Sequence, residues 1–262
     1  SLVSNKDVLL SFSHYVGNRM DRIAPLLTRV DFPVPIDGEM IRRIPPYTGD
    51  SEGMFRIVFC SRLEPYRHLD LLVDAVSRLD NRMKCIIHII SDRPDYSEYY
   101  QSIVDLIYRC GLTASVRWWG DLADQTDLKM ALFKHANVLV HLSTFEGETF
   151  GRVVIEAMAC GLPVITTRWQ ALDELVKEGE NGYLISVKNN KVNRSELISA
   201  LERFMNDPDT GRKIGETNRN ESLRYNYRHV FLTLVEKLKQ LDNQSIIFSN
   251  PLTLPWSISS KI

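Results

Sequence analysis

The sequence predicts a doubly wound α/β fold, one parallel sheet with helices on both faces. Two observations carry that prediction. From Phe55 onward, short and almost wholly apolar runs recur: FRIVFC, KCIIHII, SVRWW, NVLVHL, PVITT and GYLI. Their uniformity implies strands covered on both faces, not strands with one face in water. Between them lie helical patterns, and strands alternating with helices need crossover connections, which are right-handed. Folds of this kind take their ligands in the crevice beyond the carboxyl ends of the strands.

Taken in order, DVLLSF reads as a strand, and the chain to Arg29 as one helix. RVDFPVPIDGEM follows, its prolines and glycine favouring an extended segment and a turn. PPYTGDSEGM reads as a linker, so the expected organisation is a βα unit with linker over 1–50, an α/β domain over 51–242 and a tail over 243–262. In HLDLLVDAVSRL the apolar positions Leu69, Leu72, Val73, Val76 and Leu79 form one stripe at helical spacing. Tyr96 to Cys110 and Asp124 to His135 are expected to be helical in the same way. Val138 to Leu142 ends a strand, and STFEGET turns into a helix from Phe150 to Cys160, with Gly161 as terminator and Pro163 beyond. Helices are expected around Ser195 to Met205 and Tyr227 to Leu241, while SNPLTLPWSISSKI shows no period.

Composition narrows the function classes. The 262 residues are 44% apolar and 25% charged, an ordinary globular balance. A formal net charge of −1 argues against nucleic-acid binding through a general basic surface. Four scattered cysteines (Cys60, Cys85, Cys110, Cys160) suggest neither a zinc site nor a disulfide framework, which points to a cytoplasmic setting. There is no apolar run of spanning length and no visible signal peptide. The chain opens on Ser1, and its first βα unit is expected to be the tail of a preceding domain.

The run STFEGETFGRVVIEAMACGLPV concentrates the chemistry. At a strand–loop–helix junction the amides of Phe150, Gly151, Arg152 and Val153 lack intrahelical acceptors. Gly151 lets a ligand approach the backbone, and the helix dipole favours an anion, for which phosphate is the natural occupant. Glu156 stands in a helix that is apolar on nearly every side. An ionised carboxylate there needs hydrogen bonds, and a vicinal diol such as a ribose offers two O–H donors. An Arg152–Glu156 pair on a solvated strip accounts for it as well. Glu148, in the preceding loop, reads by itself as a solvated residue.

EGETFGRVVIEAMACGLPVI resembles the E-x7-E signature of retaining GT-B glycosyltransferases, family 4 in particular, and FCSRLEPYRHLDLLVDAV resembles their S/G-R-L-x-x-x-K segment. The resemblance covers Asn5 to about Leu241. It implies a Rossmann-like half of a GT-B fold and transfer of a hexosyl group from a nucleotide-sugar, UDP- or GDP-linked, with retention of configuration. Glu148 would meet the donor sugar and position it without acting as nucleophile. Glu156 would meet the ribose, and Thr149 with the amides from Phe150 to Val153 would hold sugar and phosphate. Arg62 and Arg67 would neutralise the diphosphate, Arg67 replacing the usual Lys by a planar fork. No metal and no cofactor are then required. DPD at Asp207 to Asp209 falls in a turn between helices, away from the core. VRWWGDLADQTDL resembles the family's segment near the base, and DELVKEGENGYLI its later turn, with Glu174 and Asn181-Gly182 aligned. IHIISDRPDY and RWQALDE lack the usual glycines. Trp118, Trp119 and Trp169 either stack on a ligand or pack. The partners implied are the donor, a glycan or lipid-linked acceptor, and a membrane surface met through a further N-terminal domain. A chain without that domain is expected to bind donor and transfer poorly. The alternatives are a non-catalytic nucleotide-sugar-binding subunit, an epimerase or phosphorylase of the same fold, and a flavodoxin-like receiver.

Overall fold

The computed structural model describes residues 7–25, 27–50, 52–92 and 97–242. The expected tail over 243–262 and residues 93–96, within the segment IHIISDRPDY, lie outside the described residues.

The chain starts with a small unit: β1 (Val8–Ser11), α1 (His14–Ile23) and β2 (Thr28–Asp31), with β1 and β2 paired in parallel. Ser13 caps α1 by accepting from Val16 N. Two sequence expectations are corrected here. The helix does not run to Arg29, because Thr28 to Asp31 form a second strand beside β1. The glycine expected to favour a turn, Gly38, instead opens α2 (Gly38–Arg43), where the Asp37 carboxylate accepts from Met40 N. Asp37 is the N-cap of this helix, and aspartate serves turns and caps through the same side-chain acceptor.

The larger unit follows with β3 (Phe55–Cys60), α3 (Leu69–Ser77), β4 (Cys85–Ile90), α4 (Glu98–Arg109), β5 (Val116–Gly120), α5 (Thr126–His135), β6 (Val138–His141), α6 (Arg152–Ala159), β7 (Val164–Thr167), α7 (Leu172–Leu175) and β8 (Gly182–Ile185). A small hairpin of β9 (Val187–Lys188) and β10 (Lys191–Val192) leads to α8 (Arg194–Asn206), α9 (Pro208–Ser222) and α10 (Tyr227–Asp242). All six expected strands form one parallel sheet in the order β5-β4-β3-β6-β7-β8. The order reverses between β3 and β6, so the loops leaving those two strands flank the crevice.

Alternating strand residues feed two cores. Ile57 and Phe59 join Leu69, Leu72, Val73 and Val76 of α3 on one face, as the helical stripe predicts. Val58 and Leu139 pack on the other face with Met130, Phe133, Val154, Ile155 and Met158. Ile36 and Ile41 also belong to this second core.

The segment after α2 is fastened to the sheet by charge. The Lys134 ammonium donates to the carbonyls of Arg42 (3.1 Å) and Ile44 (2.5 Å), the open end of α2. Asp50 Oδ2 lies 2.9 Å from His88 Nε2, 3.1 Å from His135 Nε2 and 3.7 Å from Arg56 Nε. Trp119 Nε1 donates to His88 Nδ1 at 3.0 Å, and since indole can only donate, the ring proton of His88 sits on Nε2, toward Asp50. Trp119 is thus committed to the fold, as is Trp118, edge-on to Tyr100 at 5.4 Å.

At the far end the chain returns to the small unit. Ile36 N donates to Tyr225 O and Tyr227 N to Ile36 O, a parallel bridge between the outgoing segment and the start of α10. Phe231 of α10 then meets Phe32, centroids 5.5 Å apart.

Candidate functional site

Two loops build the crevice. After β3, the turn Pro65–Arg67 folds Arg67 inward, and His68 adopts a left-handed conformation (φ 55°) before α3 starts. After β6, the chain passes through Ser143 to Gly151 and enters α6. Backbone and side-chain bonds lace the loops together: Thr144 N donates to Tyr66 O, and His68 Nε2 lies 2.9 Å from Thr144 Oγ1.

Arg67 and Glu148 meet across this seam. Arg67 Nη1 donates to Glu148 Oε2 at 2.5 Å and to Ser143 Oγ at 3.0 Å, while Ser143 Oγ donates to Glu148 Oε2 at 3.0 Å. Both partners are buried, each side chain 10% exposed. The reading of Glu148 as a solvated loop residue is therefore corrected, because the second loop folds its carboxylate beneath the first. The guanidinium lies 5.4 Å from the Tyr66 ring centre and 5.6 Å from that of Phe145, and the two rings stack at 4.9 Å. Trp169 Nε1 holds the Phe145 carbonyl at 2.9 Å, so this tryptophan positions the loop.

The site helix begins two residues later than expected, at Arg152, with Gly151 as N-cap at φ +85°. A Cβ at Gly151 would stand 2.7 Å from Leu172 Cδ2, so conformation and space both require glycine. The first intrahelical bond is made by Val154 N to Gly151 O, leaving the amides of Gly151, Arg152 and Val153 ahead of it. Phe150 turns its side chain into the core against Tyr225, at 5.9 Å, and exposed Thr149 accepts from Ser13 Oγ through its carbonyl.

Glu156 is 6% exposed and carries two cations. Arg152 Nε donates to Oε1 at 3.1 Å, and Lys129 Nζ, from α5, to Oε2 at 3.0 Å. The sequence offered burial and an Arg152 pair as alternatives, and the structure has both. Arg62 is exposed at the end of β3. It borders a cavity of about 330 Å³ with Cys60, Ser61, Asp92, Asp121 and Lys129. The charged residues among the expected site residues thus fall into two groups, Arg67 with Glu148, and Arg152 with Glu156, the latter near Arg62 through Lys129.

Several participants were not foreseen. His141 and Ser143 read as strand and loop, and Lys129 as one cation of an amphipathic helix. Glu174 accepts from the amides of His14, at 2.9 Å, and Tyr15, so its carboxylate sits at the N-terminus of α1 across the two units. Asn181 braces its own turn by bonds with Lys177 N and Leu175 O. Asp207 caps α9, as expected of a turn between helices.

Burial alone would raise the Glu148 carboxyl, but His141, the Arg67 guanidinium and the Ser143 hydroxyl outweigh it and hold the group below its ordinary value. His141 Nε2 is 3.9 Å from Glu148 Oε2. Burial pushes its imidazole down to about 4, against the pull of Glu148. At neutral pH this ring is uncharged, and Arg67 carries the pairing. A pH prediction follows from His141, with burial also lowering His88, His135 and His68. Between pH 6.5 and 4 the unfolded chain binds a proton at His141 that the folded chain refuses, so stability falls as pH falls. The loss attributable to His141 is about 3 kcal/mol when complete. Melting temperatures from pH 7 to 5 should decline, and His141→Asn should decline less steeply. Equal slopes would mean that His141 is protonated in the fold.

Among the described residues no helix is long and apolar enough to cross a membrane. A family model described as Glycosyl transferases group 1 matches residues 41–221. The chain is 24% identical over 233 residues to N-acetyl-alpha-D-glucosaminyl L-malate synthase of Bacillus anthracis, covering 86% of this chain and 57% of that protein. It is 26% identical over 201 residues to D-inositol 3-phosphate glycosyltransferase of Gordonia bronchialis, covering 74% and 42%. The chain spans about half the length of the curated relatives it matches. Among solved structures, Anabaena HepE in complex with UDP superimposes with a TM-score of 0.74 at 21% identity, covering 89% of this chain and 64% of that one. HepE in complex with UDP-glucose gives 0.73 at 22%, with the same coverage. These two likenesses show the fold.

Proposed function

The chain belongs to the group 1 glycosyl transferases, and on that premise we propose that it binds a nucleotide-sugar and serves hexosyl transfer with retention of configuration, as family 4 enzymes do. One observation carries the reading: two buried carboxylates, Glu148 and Glu156, flank the amides at the mouth of α6. In this reading the amides of Gly151, Arg152 and Val153 and the positive end of the helix dipole face the donor phosphates. Glu148, kept ionised by Arg67, accepts from sugar hydroxyls and orients the sugar. Glu156 accepts from the ribose hydroxyls. Arg67 makes its two bonds through Nη1, and its buried Nε has no hydrogen-bond partner among the described residues. A guanidinium has five N–H donors, so it can keep Glu148 and still offer a donor to a phosphate oxygen. Arg62 supplies the second cation from the cavity rim. This cation set supports departure of the diphosphate without a metal. UDP is the favoured nucleotide because the structurally similar HepE binds UDP and UDP-glucose.

Calorimetric titration tests the reading. The chain should bind the UDP-sugar series in preference to GDP and ADP forms, and Glu156→Ala should weaken binding about tenfold to hundredfold, the worth of one hydrogen bond to a charged group. A folded chain that binds no nucleotide-sugar, or a Glu156→Ala variant that binds as tightly, would sink it.

A further inference from the structure

We propose that Lys129 is the positioning residue that presents Glu156 to a vicinal diol. The inference rests on the donor-site reading and deepens it. A carboxylate has about four lone-pair sites, two on each oxygen. Arg152 Nε takes one on Oε1 at 3.1 Å and Lys129 Nζ takes one on Oε2 at 3.0 Å. One site on each oxygen remains, which is what two adjacent hydroxyls need. The cations therefore do not compete with the diol but fix the plane in which it is received.

The two cations are not equivalent. The Arg152 side chain is 66% exposed and lies one turn from Glu156 on the same helix, an arrangement that solvent screens and that leaves the carboxylate free to swing. Lys129 is 16% exposed, comes from α5 and reaches Glu156 across the helix–helix contact. Anchored on a second element, it sets the direction in which the carboxylate points. It also borders the cavity of about 330 Å³ at the ends of β3, β4 and β5, together with Arg62, so the ammonium that holds the carboxylate stands at the edge of open space. A lysine that only neutralised a buried charge would serve stability alone; one that fixes a diol acceptor serves discrimination between diols and single hydroxyls.

The experiment compares binding of UDP and 2′-deoxy-UDP to wild type, Glu156→Gln, Lys129→Met and Lys129→Arg, with melting curves as the check on folding. Wild type should favour UDP about tenfold. Lys129→Met should lose most of that preference by weakening UDP while leaving 2′-deoxy-UDP nearly unchanged, and Lys129→Arg should restore much of it. If Lys129→Met does not fold, Lys129→Leu, which likewise has no donor and no charge, should show the same fall. A wild-type preference in a folded, uncharged variant overturns the role of Lys129 alone, provided Glu156→Gln has lost the preference. Failure of wild type to bind either nucleotide removes the donor-site reading and this inference with it.

Discussion

Arg67→Met should destabilise the protein by about 3–5 kcal/mol, since it strands the Glu148 carboxylate in a site where each partner is 10% exposed. Methionine keeps much of the bulk beside the stacked Tyr66 and Phe145 rings but removes the charge and both Nη1 bonds. Glu148→Gln added to it should recover a good part of the loss, because an amide costs less to bury than an unpaired carboxylate. The pH dependence should also change sign. In wild type the Glu148 carboxyl lies below its ordinary value, so it contributes stability above that value and loses it as pH falls. In Arg67→Met, burial acts with far less opposition and pushes the group up. The gap between variant and wild type should then narrow on acidification. Urea titrations at pH 7 and pH 5 measure both effects. A gap of under about 1 kcal/mol at pH 7, or one that widens toward pH 5, would mean that the pair is solvated, as surface pairs are.

Gly215→Ala should cost about 1–3 kcal/mol, although alanine is the better helix former. Gly215 lies in α9 where that helix crosses the end of the site helix, and its Cβ would stand 2.3 Å from the carbonyl oxygen of Gly161. The obstacle is backbone, so no side chain can rotate aside. Gly161 itself, at φ +74°, ends α6, and buried Asn218 donates to Leu162 O one residue on, at 2.9 Å. Pushing α9 outward therefore pulls on the turn that seats the site helix. Gly211→Ala on the same helix is the control. Its Cβ would make ordinary contacts, 3.7 Å to Phe204 and 4.0 Å to Pro163, so this change should be stabilising by about 0.4–1 kcal/mol. Thermal melts of the pair should move in opposite directions. A common direction would show that helix propensity and not the close approach governs α9.

The sheet was legible because its strands are covered on both faces, and such strands print themselves as continuous apolar runs. β2 and α2 were not, since proline, glycine and aspartate signal turns and caps with the same letters. Glu156 could be read as a buried carboxylate from the apolar residues around it, but not its partner. Lys129 sits in α5 between Leu128 and Met130, and a cation at such a place is indistinguishable from one that points to water. Arg67 and Glu148 are 81 positions apart, and only the reversal of strand order between β3 and β6 brings their loops together. His141 sits among apolar strand neighbours, where the letter says nothing of its charge state.

The bridge at Ile36 makes the two passages between the units a single strap. The outgoing passage, Phe32 to Ile36, carries two prolines, Pro33 and Pro35, whose rings fix φ; the returning one is clipped to it by the Ile36 bonds with Tyr225 and Tyr227. Laid side by side, two such members act as a flexure. Sliding one along the other would break both bonds, whereas folding the strap across its width breaks neither. The paired bonds at Ile36 thus hold the two passages in register along their length. The Ser13–Thr149 and Glu174–α1 hydrogen bonds tie the same two units together at separate points, so the strap is not their sole connection.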